Sequence, residues 1–92
     1  MGRRVRLTKL AASQIERATD WWRHERPEAP ELFEQELFSV LDRIAEYPES
    51  APSTSRAVRR AALRRCRYLL FFRTVDDVVE VLELRHAIRR GR

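Results

Sequence analysis

At the start of the chain Arg4 and Arg6 alternate with Val5 and Leu7, and this period of two predicts a strand over residues 3–8. Thr8 then stands where a helix cap belongs, immediately before Lys9. Ala11, Ile15, Ala18 and Trp22 recur at helical spacing with Glu16, Asp20 and Arg23 between them, which predicts an amphipathic helix to about Arg23. The segment Arg26-Pro27-Glu28-Ala29-Pro30 breaks that helix, because proline lacks the N–H and clashes with the preceding turn. A second apolar stripe, Phe33, Leu37, Val40, Leu41 and Ile44, follows and runs out at Tyr47-Pro48. Two helices joined by so short a break form a hairpin, with the first stripe facing the second and both still needing a surface to cover.

The C-terminal third supplies the surface. The stretch PESAPSTS reads as a loop, after which Val58–Leu63, Arg67–Arg73 and Val78–Leu84 read as three strands with short polar connections, Asp76-Asp77 lying in the last. Short turns between consecutive strands imply antiparallel pairing. Leu69, Leu70, Phe71 and Phe72 put apolar groups on both faces of the middle strand. One face therefore meets the helices, while the other keeps Leu69 or Leu70 weakly covered and invites a partner. The expected fold is α+β: an N-terminal strand and a two-helix hairpin packed on a C-terminal antiparallel β-meander. With 92 residues the chain forms a single domain over 1–92, since a chain of this size buries roughly 60–65% of its unfolded surface around one core.

Composition narrows the function classes. The longest apolar run is Leu69-Leu70-Phe71-Phe72 and the N-terminus MGRRVRLTKL lacks the apolar middle of a signal peptide, so a cytoplasmic protein is expected, without membrane association. Cys66 has no partner for a disulfide, and the two histidines, His24 and His86, are far apart in sequence. No metal and no cofactor is expected. Cys66 reads as a small buried side chain and His24 as a surface residue. Charge is segregated along the chain. Residues 10–55 carry ten acids against four arginines, whereas residues 56–92 carry eleven arginines against four acids. All but one of the basic residues are arginine; a GC-rich genome produces that bias, and arginine also grips phosphate and carboxylate with two parallel hydrogen bonds.

Six arginines fall within VRRAALRRCRYLLFFR, residues 58–73, more than an edge strand needs to deter pairing. The whole pattern, with LT..A at the start, a tryptophan-rich first helix, a proline-containing loop and then VRRAALRRCRYLLFFRTVDDVVEVLELRHAIRR, resembles the RelE/ParE superfamily of bacterial toxins from type II toxin–antitoxin, or plasmid stabilisation, systems. The resemblance implies a growth-inhibiting toxin held inactive by a cognate antitoxin, in a possible toxin–antitoxin hetero-oligomer. It implies a target too: DNA gyrase in the ParE branch, or messenger RNA in the ribosome in the RelE branch. A degenerate toxin that retains only antitoxin binding is a third reading.

Cleaving RNA with its own 2′-hydroxyl needs a base, an acid and cations beside the phosphate. The resemblance places Arg60 and Arg67 at two of the ribonuclease branch's basic positions and Arg85 or Arg89 at a third, with His86 the one side chain there suited to proton transfer near neutral pH. The tail AIRRGR has no tyrosine and no lysine follows Lys9, so a second proton-transfer group is missing unless Glu80 or Glu83 fills in. The reading that results leans to a binding inhibitor of gyrase, with the ribonuclease as its alternative. Arg59, Arg60, Arg64, Arg65, Arg67, Arg89 and Arg90 are the expected contacts to target or antitoxin. Plainer readings stand beside these. The arginines of the first meander strand and its turn form a solvated edge or pair with the acidic helices. His86, of the same strand parity as Leu82 and Leu84, ends a buried face with a hydrogen bond to a carbonyl. Trp21, Trp22, Tyr68, Phe71 and Phe72 belong to the core.

Overall fold

The computed structural model of the protein describes residues 2–87. Strand β1 (Arg4–Leu7) leads into α1 (Lys9–Glu25) and α2 (Leu32–Glu46), and a 3-10 turn at Pro48–Ser50 connects to β2 (Ser53–Ser55), β3 (Val58–Leu63), β4 (Tyr68–Val75) and β5 (Val78–His86). One five-stranded sheet has the order β1-β5-β4-β3-β2. The expected strand, helix hairpin and antiparallel meander are all present. Two features lie outside the sequence reading: part of the stretch read as loop is the short strand β2, and β1 joins the sheet in parallel, beside β5.

Local chemistry starts α1 as the sequence suggested. The Thr8 hydroxyl accepts the Ala11 N–H at 3.1 Å and donates to the Leu82 carbonyl at 2.9 Å, so one side chain caps the helix and ties it to β5. β1 pairs β5 only as far as Leu7 opposite Val81. Beyond that point α1 seals the edge itself, with the Gln14 side-chain oxygen accepting the Leu84 N–H at 2.7 Å. Such partners are obligatory, because a covered backbone group without one costs about as much as a lost hydrogen bond.

The helices lie on one face of the sheet. Ala11, Ala18 and Trp22 of α1 and Phe33, Leu37, Val40 and Ile44 of α2 meet Ala61, Leu63, Tyr68, Leu70, Phe72, Val79, Val81 and Leu84, with Ile15 and Leu41 packed beside them. Trp22 is the buried tryptophan at 6% exposure, its indole N–H donating to the Tyr68 hydroxyl at 3.3 Å, while Trp21 is 50% exposed. Tyr68 in turn stacks edge-on against Phe33. The segregated charges meet at the hairpin between β3 and β4. Both carboxylate oxygens of Glu36 accept backbone N–H groups there, from Arg65 and Cys66, each at 2.9 Å. The acidic helix thus holds the main chain of the basic turn, leaving the arginine side chains free of it. Among the described residues no helix is long and apolar enough to cross a membrane.

Candidate functional site

The sheet face away from the helices is the site. Leu70 alternates with Leu69 and Phe71, Ala61 with Arg60 and Ala62, so each strand turns one residue inward and the next outward. In register across the open face, Arg60 sits opposite Phe71 and Phe71 opposite Glu83, while Ala62, Leu69 and Arg85 form the neighbouring row. The Arg85 guanidinium lies 5.2 Å above the Phe71 ring and 3.1 Å from the Glu83 carboxylate. It therefore combines a cation–π contact with an ion pair, and is oriented by both. Further along, Glu80 bridges three strands, accepting from Arg73 Nε at 2.8 Å and from Arg6 Nη2 at 3.3 Å. The hydrogen bond from Arg73, reinforced by the charges of Arg73 and Arg6, holds the Glu80 carboxyl below its ordinary value. A carboxylate so held stays ionised and is a poor proton donor.

The other arginines fall into distinct roles. Arg59 donates from Nη1 to the Ala51 carbonyl at 2.7 Å and so fastens the connection from α2 to β2. Arg60 is exposed on the open face, and Arg64, Arg65 and Arg67 are exposed in the hairpin between β3 and β4. Arg67 has φ 65°, a left-handed backbone that costs a residue with a Cβ about 1–2 kcal/mol. Its N–H donates to the Leu63 carbonyl at 2.7 Å and its carbonyl accepts the Ala87 N–H at 2.8 Å, which fix that geometry. Arg89 and Arg90 lie outside the described residues. Within the same hairpin Cys66 is 3% exposed, and burial, then its hydrogen bond with Glu36, pushes its thiol up to about 12. Such a thiol supplies no thiolate near neutral pH and is structural.

His86 is on the opposite face. A bulge in β5 sets Glu83 opposite Phe71 but Val81 opposite Phe72, so Leu82 is the extra residue. The bulge takes Leu82 out of the parity it shares with Leu84 and His86: Leu84 is buried on the helix side, and His86, on that same side, is exposed at the end of the strand. Rather than closing a buried face, the imidazole packs on Tyr68 with ring centroids 4.6 Å apart. It lines a cleft of about 290 Å³ together with Gln14, Arg17, Trp21 and Leu84, on the helix side of the sheet. Arg60 and Arg85 share one face, Arg67 sits in a turn, and the sheet stands between the two face arginines and His86. His24 is exposed, its Nδ1 2.9 Å from the Asp20 carbonyl. Among the described residues no group of three or more His, Cys, Asp or Glu side chains is placed to hold a metal.

Sequence reasoning assigned Phe71 to the core, whereas the fold makes it the half-buried centre of the open face. It also passed over Arg6, Arg43 and Arg73. The alternation of Arg73 with Phe71 along the strand was the available signal for one of them; nothing local marked Arg6 or Arg43.

Residues 5–90 match the family described as ParE toxin of type II toxin-antitoxin system, parDE. No curated protein sequence matches the chain. Among solved structures, the chain is similar to a protein of the chromosomal ParDE toxin–antitoxin system from P. aeruginosa, at 18% identity and a TM-score of 0.77 over 94% of this chain and 97% of that one. It is also similar to the isolated E. coli RelE toxin, at 20% identity and a TM-score of 0.61 over 97% of this chain and 88% of that one. At these identities the two likenesses show a shared fold.

Proposed function

Since the chain belongs to the ParE toxin family of type II toxin–antitoxin systems, we propose that it inhibits DNA gyrase in the cytoplasm by binding, without chemistry of its own, and is neutralised by a cognate antitoxin. One observation carries the preference for binding over RNA cleavage: Arg60 and Arg85 lie on the open face, while His86 packs on Tyr68 on the other. A phosphate gripped by those arginines has no imidazole within reach, and the nearby Glu80 carboxylate is held ionised between two guanidinium groups. Acid–base catalysis needs its proton-transfer group within about 3 Å of the reacting oxygen or one water away. A binding inhibitor needs only a shaped, charged surface. The open face offers one, with the apolar Leu69 and Phe71 set among Arg60, Arg73 and Arg85. An apolar centre within a charged rim is the anatomy of a protein contact, and the arginines add steering toward an anionic partner.

The test runs two assays side by side on antitoxin-free, folded protein: purified gyrase with supercoiled plasmid, and translating ribosomes with end-labelled messenger. Stabilised gyrase–DNA cleavage complexes with intact messenger are expected, and His86→Gln should leave that inhibition nearly unchanged. Messenger cut in the decoding site with gyrase unaffected would overturn the proposal and restore the ribonuclease alternative. Activity in neither assay would overturn it in favour of a degenerate toxin that only binds antitoxin.

A further inference from the structure

The sheet has two edge strands, β1 and β2, and each covers its neighbour only in part. Past the end of β1, Thr8 and Gln14 supply partners for the Leu82 carbonyl and the Leu84 N–H of β5. On the β3 side the cover stops early: Ser53 pairs with Arg59, Ser55 with Val58, and the Pro52 carbonyl accepts the Arg60 N–H at 3.0 Å. That last bond shows that Arg60 points its backbone groups away from β4. Ala62, two residues on, points the same way, and no partner meets its N–H or C=O among the described residues. Beside this open stretch lies a cleft of about 440 Å³, lined by Arg43 from α2, Ser50 and Pro52 from the connection, and Arg60 and Arg64 from β3 and its turn. Among the described residues none of the three guanidinium groups is in an ion pair.

We propose that the uncovered half of β3 takes an extended acidic segment of the antitoxin as a further strand, its carboxylates meeting Arg43, Arg60 and Arg64. The proposal rests on the reading that an antitoxin neutralises this chain, and adds the place and chemistry of the contact. A free N–H and C=O pair on a strand edge is a template for main-chain pairing. Three cations around it select acidic side chains, because a neutral strand laid there would strip water from the arginines without replacing it. Arg60 and Arg64 alone would be edge guards. Arg43 reaches the same cleft from a helix, and a guard needs neither a third charge from another element nor a cavity to receive a chain.

The experiment uses this chain and the product of the small reading frame beside its gene, with affinity read by calorimetry. Ala62→Pro removes the outward N–H but no bond between β3 and β4, and Arg43→Glu with Arg64→Glu reverses two of the charges. Each variant should bind at least tenfold more weakly with its melting temperature unchanged, and in the wild-type complex the Ala62 amide should exchange hydrogen at least tenfold more slowly than in the free chain. Wild-type affinity in both variants, with free exchange at Ala62, would overturn the strand while leaving neutralisation intact. Failure of the wild-type pair to associate would overturn neutralisation itself and the proposal with it. Weakening by charge reversal without any effect of Ala62→Pro, and without protection at Ala62, would mean an anionic ligand that is not a strand; titration with duplex DNA would then show whether phosphate is that ligand. Should Ala62→Pro melt early, the exchange measurement on the wild-type pair decides alone.

Discussion

Leu70 and Phe72 are fully buried against the helices, while Leu69 and Phe71, alternating with them on β4, are only half-buried among arginines on the open face. Chemically the four residues are nearly interchangeable, and their position on one side or the other of a single sheet divides their work. The inner pair removes apolar surface from water, worth roughly 1.5–3 kcal/mol for each fully buried side chain. The outer pair has given up part of that stabilisation and keeps an apolar surface available, as an interaction surface must. Stability and recognition are thus separable here residue by residue, and substitutions test how cleanly.

The largest expected effect is the contrast between neighbours. Phe72→Ala and Trp22→Ala should each cost about 3–5 kcal/mol, whereas Phe71→Ala and Trp21→Ala should each cost about 1 kcal/mol or less, read from urea unfolding midpoints. Equal losses within either pair would mean that the outer member carries core packing too. Next comes the link between the acidic helix and the basic hairpin. Glu36→Ala leaves two main-chain N–H groups without their carboxylate and should cost about 1–3 kcal/mol, together with faster alkylation of Cys66 in the native state. An unchanged alkylation rate would show that burial alone protects the thiol.

A smaller effect, of opposite sign for stability and function, is expected at Arg67. Glycine accepts the left-handed backbone freely, so Arg67→Gly should stabilise the fold by up to about 1 kcal/mol, and should weaken target or antitoxin binding if the guanidinium is a contact. A stabilised variant with full binding would remove Arg67 from the site. On the open face, Arg60→Ala and Arg85→Ala should shift stability by no more than about 0.5 kcal/mol each while reducing gyrase inhibition severalfold. Smallest is the pH dependence from Glu80. Its folded value lies below the ordinary 4.5, so the stability it contributes is present above pH 4.5 and is lost as pH falls through the lower folded value. Glu80→Gln should flatten the acid limb of the stability curve, and an unchanged limb would mean that the three-strand ladder contributes nothing measurable.

Much of this molecule follows from its sequence. The spacing of Ala11, Ala18 and Trp22 and of Phe33, Leu37 and Ile44 specifies two one-sided helices, and the period of two in β3 and β5 specifies strands, because burial on one face imposes those periods on any chain. Thr8 was legible as a cap from its place just before the helix, and Cys66 as a buried side chain from the absence of a partner cysteine. Three decisions were made only by tertiary structure. The run Leu69 to Phe72 has no polar residue to mark a face, so which pair turns inward depended on the helices that cover it. The bulge at Leu82 is set by pairing with β4, and it detached Leu82 from the face that Leu84 and His86 share. The convergence of Arg43 with Arg60 and Arg64, and of Glu36 with the hairpin backbone, joins segments distant in sequence. Periodicity reports which side of an element is buried; only the packed arrangement brings side chains from different elements to one place.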